Sequence, residues 1–195
     1  MAYPIKLDTM TPQRKDAARN WEHILTVARE LVDEGTPLQL NDVARRAGLG
    51  VGTVYRHFPT PEALLETVAT PCLETLAAQG EQALTHDDPW TAFADCLTRL
   101  VEGQVTDPAL AKVAASAQDV LPRTAELKQQ ILATGAKLLD RARAAGAIHP
   151  DIDNADLVPL MCGISYATYV HSTDTDDRLA AARRYVDTLL RGLRA

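Results

Sequence analysis

The residues with the clearest potential for chemistry are three alternate glycines, Gly48, Gly50 and Gly52, directly before the run TVYRHF. Glycines at the start of a helix bring backbone close to a phosphate, either of a nucleotide cofactor or of DNA. The dinucleotide fingerprint needs a preceding strand and a third glycine three residues after the second, where this chain has Thr53. The phosphate loop of nucleoside triphosphatases needs a following Gly-Lys-Ser/Thr, which is absent from the sequence. The glycines therefore do not predict a cofactor site.

The segment before the glycines predicts a helix, not a strand. Its apolar residues recur at helical intervals, at Leu40, Val43, Ala44 and Ala47. The sequence therefore predicts two helices joined by a tight turn. Ala44 is small enough for the two helices to cross closely, and Gly48 can adopt the positive φ that the turn requires. Val54 would point the second helix into the shared core.

The second helix of this corner carries side chains suited to nucleic acid. Thr53, Tyr55, Arg56 and His57 offer a hydroxyl, a phenol, a guanidinium and an imidazole, groups that contact bases and phosphates. Gly52 would let the helix approach closely. The alternative is an ordinary two-helix corner in which Tyr55 packs and Arg56 is solvated.

Other candidate sites are weaker. His149, Asp151 and Asp153 share one loop, but Asp next to Pro is commoner in turns and helix caps than in metal sites. The histidines His23, His86 and His171 have no nearby nucleophile. We therefore expect no catalytic residue, no metal and no cofactor, and so no enzyme.

Cys72, Cys96 and Cys162 are far apart and odd in number, which does not suit an intramolecular disulfide framework and indicates a reducing compartment. No basic neighbours favour a redox role for Cys72 or Cys96. The first residues lack the apolar core of a signal peptide, and no stretch predicts a membrane span. We expect a cytoplasmic protein without a membrane partner.

Charge restricts any nucleic-acid contact to a local surface. The net charge of −6 argues against binding through bulk electrostatics. Residues 1–60 hold 8 Lys and Arg against 7 Asp and Glu, whereas the remaining residues hold 12 against 19. The N-terminal segment is therefore the better candidate for meeting an anion.

Hydrophobic periodicity and the 46% apolar content predict an all-α chain of about nine helices with a substantial core. The predicted helices span 14–34, 41–47, 51–58, a segment beginning after Thr60, 90–105, a segment after Pro108, 123–145, 155–172 and 176–193. Pro71 lies inside the fourth helix and is predicted to kink or interrupt it.

The segment DVARRAGLGVGTVYRHFPTPEALLETV, preceded by ILTVARELVDEG, closely resembles the DNA-binding domain of tetracycline-repressor-like (TetR family) regulators over roughly residues 14–68. The resemblance implies a helix-turn-helix domain over 1–59 and a larger helical domain over 60–195 for ligand binding and dimerisation through the last two helices. It also implies a ligand-responsive regulator, most commonly a repressor, that leaves a palindromic double-stranded DNA operator when a small molecule moves the fourth helix. A helical binding or adaptor protein that no longer binds DNA is the second hypothesis.

Carried over by position, the resemblance implies seven DNA-contacting residues. These are Asn41, Val51, Gly52, Thr53 and Arg56 at or near bases, and Tyr55 and His57 at phosphates. Three positions depart from the family pattern. Gln39 is a poorer cap than the common Thr, and Gly50 replaces a common Ser. Pro61 replaces a Lys that touches phosphate in many members, so we expect either weaker DNA binding or compensation by Arg14, Lys15 or Arg19 on the first helix.

For the effector we expect a cavity that mixes apolar surface with a few polar groups. The candidate lining residues are Trp90, Phe93, Cys96, Leu100, Gln118, Met161, Ser165 and Tyr166. The alternative for most of them is ordinary core. Gly163 and Ala167, four residues apart, are predicted to allow close helix packing at a dimer interface.

Overall fold

The computed structural model describes the backbone of residues 12–195 and the side chains of 16–153 and 155–195. Nine α-helices make up most of this part of the chain. They are α1 (Pro12–Asp33), α2 (Leu40–Ala47), α3 (Val51–His57), α4 (Pro61–Ala83), α5 (Pro89–Thr106), α6 (Pro108–Ala114), α7 (Pro122–Ala144), α8 (Asn154–His171) and α9 (Thr175–Leu193). The only strand-like pairing in 12–195 is a single antiparallel bridge between Ile148 and Arg194. The predicted all-α fold is confirmed.

The chain forms two compact units, Met1–Val68 and Ala69–Ala195. The first contains α1 to α3 and the beginning of α4; the second contains the rest. The α4 helix continues through Pro71, so the proline does not interrupt the helix. The domain boundary after residue 59 stays a prediction.

The first unit has a core built from one stripe of each helix. The buried residues are Ile24, Val27, Ala28, Leu31, Val32, Leu40, Val43, Ala44, Val54, Phe58, Ala63 and Leu64. They recur at the three- and four-residue intervals that place side chains on one helix face. The α4 helix then begins as the sequence predicts, because the Thr60 hydroxyl accepts a hydrogen bond from the Ala63 amide at 3.1 Å.

The second unit is organised around α5, which packs against α6, α7, α8 and α9. Its core contains Phe93, Leu97, Val101, Val105, Leu138, Leu139, Ala142, Leu157, Met161, Ala182, Val186 and Leu193. Aspartates cap four of these helices at their N-termini, namely Asp88, Asp107, Asp153 and Asp174. Each carboxylate accepts hydrogen bonds from free amides of the first turn.

The loop proposed as a weak metal candidate serves the fold. Asp153 accepts a hydrogen bond from the Ala155 amide at 3.0 Å, and the His149 amide donates to the Leu193 carbonyl at 3.1 Å. Within the described part of the chain, no three His, Cys, Asp or Glu side chains are grouped so that they could hold a metal ion. A search of the described helices finds none with the length and apolar character needed to span a bilayer.

Candidate nucleic-acid interface and internal cavity

The corner between α2 and α3 is fixed by backbone geometry. Gly48 ends α2 with φ 64°, and its amide donates to carbonyls of the last turn of α2. The Leu49 amide donates to the Ala44 carbonyl at 2.9 Å, which completes the turn. Neither Gln39 before α2 nor Gly50 before α3 provides a side-chain cap. The corner therefore depends on the positive φ of Gly48 and on the packing of its two short helices.

One side of α3 is buried and the other is open. Val54 is fully buried, whereas Tyr55 is 48% exposed. The seven predicted DNA-contacting residues all keep solvent access. Asn41, Val51, Gly52, Tyr55 and Arg56 are exposed, and Thr53 and His57 are half-buried. A continuous set of exposed groups on α3, with Asn41 at the start of α2, is thus free to meet a partner.

Arg56 differs electrostatically from the other described arginines of the first unit. Each of the others pairs with carboxylates, in Arg19–Asp16, Arg29–Asp33, Arg45–Asp42 and Arg46 with Glu30 and Glu34. Arg56 makes no ion pair among the described side chains. Its Nε donates to the Gly52 carbonyl at 3.0 Å and its Nη2 donates to the Thr53 hydroxyl at 3.1 Å. An exposed positive charge is therefore left available on α3. The side chains of Arg14 and Lys15 lie outside the described residues.

Gly52 is not required by the fold of the first unit. A Cβ at this position would have no atom within 4 Å, and the residue does not have a positive φ. Glycine inside a helix nevertheless costs about 0.5–1 kcal/mol relative to alanine. The missing side chain instead leaves the backbone of the first turn of α3 accessible to an approaching surface.

These observations predict opposite effects of two alanine substitutions. Gly48→Ala should lower the free energy of unfolding by about 1–2 kcal/mol, because alanine is strained at positive φ. Gly52→Ala should raise it by about 0.5–1 kcal/mol, because alanine is the better helix former. Urea unfolding followed by far-UV circular dichroism measures both. Equal destabilisation by the two substitutions would contradict the assignment.

The second unit contains a cavity of about 420 Å³ between α4, α5, α7 and α8, with α6 and the loop after it on one side. Leucine is the most frequent residue in its walls, which also contain alanine, isoleucine, valine, phenylalanine, methionine and glycine. The polar lining residues are Cys96, Gln104, Ser116, Asp119, Lys128, Gln129 and Cys162. Its size and composition are those of a small-molecule site.

The predicted effector residues separate into two groups. Phe93, Cys96, Leu100 and Met161 line the cavity. The other four lie outside its lining. Trp90 is half-buried beside the Arg194 guanidinium, Gln118 is exposed, Ser165 is buried with its carbonyl accepting from Thr168, and Tyr166 is 72% exposed.

The effector residues predicted from the sequence did not include Gln104, Asp119 or Lys128. Gln104 lies four residues after Leu100 and seven after Leu97, so a polar residue interrupting an apolar helical stripe was the available sign. Asp119 and Lys128 gave no comparable sign, because a loop and a separate helix bring them together.

The two charged residues of the cavity neutralise each other. Lys128 Nζ donates to the Asp119 carboxylate at 2.6 Å and to the Ser116 carbonyl at 3.3 Å. Their side chains are only 19% and 16% exposed. The pair fixes the loop between α6 and α7 against α7 and leaves no net charge in the lining.

The cavity thiols are held in the protonated form. Burial raises the pKa of Cys96 to about 11, against an ordinary value of 9.0, and a nearby Arg99 only partly opposes this. Burial also raises the pKa of Cys162, and Lys128 partly offsets that shift. Because the thiolate is the reactive form, both thiols are poor nucleophiles near neutral pH.

Alkylation with iodoacetamide provides a test of this environment. At pH 8 the native Cys96 should react roughly a hundredfold more slowly than in the unfolded chain, since a pKa higher by about two units lowers the thiolate fraction by that factor. Its rate should keep rising with pH up to about 11. Peptide mass spectrometry measures the rate of Cys96 alkylation. Equal rates in the native and the unfolded chain would contradict the burial of the Cys96 thiol.

The α8 helix has an exposed apolar face. Leu160 is 46%, Tyr166 72% and Val170 74% exposed. Gly163 lies between them, and a Cβ there would have no atom within 4 Å. Exposed large apolar residues around an open glycine are typical of a surface that another helix covers closely.

The helix-turn-helix corner and the helical second unit define a class of protein, and comparisons with known proteins agree with it. A family model described as bacterial regulatory proteins, tetR family, matches residues 24–68. A model described as transcriptional regulator SbtR-like, C-terminal domain, matches residues 88–195. The chain therefore belongs to the TetR family of bacterial transcriptional regulators.

Solved structures support this membership over nearly the whole chain. A TetR transcription regulatory protein from Mycobacterium vanbaalenii is 30% identical, with a TM-score of 0.52 and coverage of 94% of this chain and 100% of that chain. The TetR transcriptional regulator SCO0520 from Streptomyces coelicolor is 31% identical, with a TM-score of 0.56 and coverage of 89% and 98%.

A curated relative matches over a shorter region. An HTH-type transcriptional regulator from Staphylococcus aureus strain MRSA252 is 30% identical over 81 residues, which are 40% of this chain and 42% of that protein. The match thus spans less than half of the relative's length.

Proposed function

We propose that the protein is a ligand-responsive repressor that binds a palindromic operator as a homodimer and leaves it when a small molecule occupies the cavity of the second unit. The observation that carries the DNA-binding part is Arg56, the exposed and unneutralised cation on α3. Family membership supports this assignment, because the family consists of transcriptional regulators.

In this proposal α3 enters the major groove, where the first turn of a recognition helix meets base edges. Arg56 would leave Thr53 and hydrogen-bond a base or phosphate, and a guanidinium suits the two acceptors of guanine. Tyr55 and His57 would contact phosphates. Gly52 would allow the backbone to approach, while Asn41, Val51 and Thr53 complete the contact surface.

A dimer would form through α8 and α9. The exposed face of α8 offers Leu160, Tyr166 and Val170 for burial, and Gly163 permits close approach of the partner helix. Two recognition helices would then contact half-sites one helical turn, about 34 Å, apart. The twofold symmetry of such a dimer is the reason for expecting a palindrome.

The cavity would couple effector to operator through α4. Leu73 and Leu76 of α4 line the cavity, and the same helix begins at Pro61 in the first unit. A ligand that favours one position of α4 shifts the equilibrium by its difference in affinity for the two states. A coupling free energy of roughly 1–3 kcal/mol would change DNA affinity from about fivefold to about 150-fold.

The test is selection of bound sequences from a random double-stranded DNA pool by the purified chain at near-physiological salt. An enriched palindrome, with log affinity that falls steeply with log salt concentration, is the expected result. A folded dimer that enriches no sequence would support the second hypothesis, an adaptor that no longer binds DNA. Gln39, which provides no cap, and Pro61 would then be the first positions to revert to the family pattern.

Gly52→Ala separates stability from DNA binding. The variant should be more stable than the parent, as argued above, yet bind the selected operator at least about tenfold more weakly, because a methyl group would hold the helix away from the groove. Fluorescence anisotropy with labelled operator measures the affinity. Unchanged affinity would remove close approach as the reason for this glycine.

A further inference from the structure

Gln104 is the most deeply buried polar residue in the cavity wall. It lies on α5, is 8% exposed and lines the cavity. Its side-chain amide makes no hydrogen bond to any described residue. Because the side chain is nearly buried yet lines the cavity, its donor and acceptor are open to a polar group that enters the cavity.

The surroundings of Gln104 make this more specific. The Leu100, Leu76 and Leu110 side chains line the same cavity, so the amide faces a mainly apolar space. An incoming polar group that matches the amide regains hydrogen bonds in a site of low dielectric constant, where such bonds discriminate strongly between ligands.

The Lys128–Asp119 ion pair determines which ligand charge the cavity favours. A carboxylate placed beside Lys128 would have to compete with Asp119, whose oxygen is already 2.6 Å from Nζ, and would leave an excess negative charge in the cavity. A cation beside Asp119 would leave an excess positive charge. Either ligand would also lose its hydration on entering apolar walls. The cavity therefore favours an uncharged ligand.

We propose that the effector is an uncharged, mainly apolar small molecule whose single amide, hydroxyl or carbonyl group is bound by Gln104. This inference rests on the proposed function, since it specifies the ligand of the same cavity. The Lys128–Asp119 pair acts by excluding ions, and Gln104 supplies the polar recognition that the leucine-rich walls lack.

Displacement of a neutral fluorescent dye, N-phenyl-1-naphthylamine, from the full chain tests the ligand class. Decanamide, decanoate and decylammonium share one alkyl chain and differ in charge. At neutral pH decanamide should displace the dye at least about tenfold more effectively than either ion, because only the ions carry an unpaired charge into the cavity. Tightest binding by decanoate, lost in Lys128→Met, would overturn the inference in favour of an anionic effector.

Two glutamines of the lining provide a matched pair for the recognition step. Gln104→Leu should weaken decanamide about tenfold while changing dye affinity less than about twofold, since the substitution removes hydrogen bonds but keeps volume. Gln129→Leu is the control, because Gln129 lines the cavity but is exposed to water. Equal losses in the two variants, or no loss in Gln104→Leu, would overturn the role of Gln104.

The same samples separate this inference from the proposed function. If decanamide binds through Gln104 but does not change operator affinity, the ligand class is supported and regulation through the cavity fails. If neither dye nor decanamide binds a chain that still selects an operator, both the ligand class and the effector role of the cavity are overturned, while DNA binding stands.

Discussion

The Tyr166→Asp variant is expected to be monomeric and to bind the operator roughly a hundredfold or more weaker than the parent chain. Tyr166 is 72% exposed in the single chain and lies on the apolar face of α8, where an aromatic side chain would be central to a dimer interface. A carboxylate buried there opposite its own symmetry copy would be strongly unfavourable. A monomer would bind each half-site separately and would lose the avidity of two linked recognition helices. Such linkage commonly raises the affinity 10²-fold to 10⁴-fold.

Sedimentation equilibrium and operator anisotropy measure the two effects together. Ala78→Asp is the matched control, because it adds the same charge to an exposed helical residue of α4. The control should remain dimeric with full affinity, and both variants should keep the circular dichroism of the parent. A dimeric Tyr166→Asp chain would show that this face of α8 is not the interface.

The Arg56→Ala variant is expected to bind the operator about tenfold to about a hundredfold more weakly, with little change in the free energy of unfolding. One well-oriented arginine contact to a base contributes about 1–3 kcal/mol of discrimination. Among the described residues, the Arg56 side chain bonds only to Gly52 and Thr53 of its own helix, so its removal leaves no described buried charge without a partner. Surface substitutions of this kind usually change stability by less than about 0.5 kcal/mol.

The way in which Arg56→Ala weakens operator binding shows whether Arg56 contacts a base or a phosphate. Relaxed preference at one base pair in a repeated selection would indicate a base contact, whereas uniformly weaker binding with a shallower salt dependence would indicate a phosphate. Arg56→Lys should restore a phosphate contact better than a paired contact to guanine. Arg123→Ala removes an exposed arginine from α7 as the control and should have no effect. Full affinity in Arg56→Ala would refute the assignment of α3.

The sequence predicted the secondary structure closely, because local rules dominate in a helical chain. The predicted helix over 123–145 is observed as α7 (Pro122–Ala144), and the helix predicted to begin after Thr60 is observed as α4, with the Thr60 hydroxyl accepting a hydrogen bond from the Ala63 amide. Apolar spacing, caps and Gly48 at the turn are properties of neighbouring residues, so no long-range information was needed.

The lining of the cavity could be predicted only in part from local sequence patterns. Periodicity selected apolar residues of α5 and α8, and Phe93, Cys96, Leu100 and Met161 do line the cavity. Periodicity alone does not distinguish the side of α8 that carries Met161 from the side that carries Tyr166. That choice depends on which face packs against α5, which only the assembled helices determine.

The sequence by itself thus determined the helices, the corner with its positive-φ glycine and the polar side chains that α3 carries. The tertiary structure decided which of the described cations form ion pairs and which polar side chains line the cavity. Arg46 and Arg56 are the same residue type in neighbouring helices, but folding pairs Arg46 with Glu34, whereas Arg56 forms no ion pair with any described side chain. In the same way, folding joins Asp119 to Lys128 and places Gln104 in the wall of the cavity. Charge neutralisation and hydrogen bonding act between residues distant in sequence, so they exist only once the chain has folded.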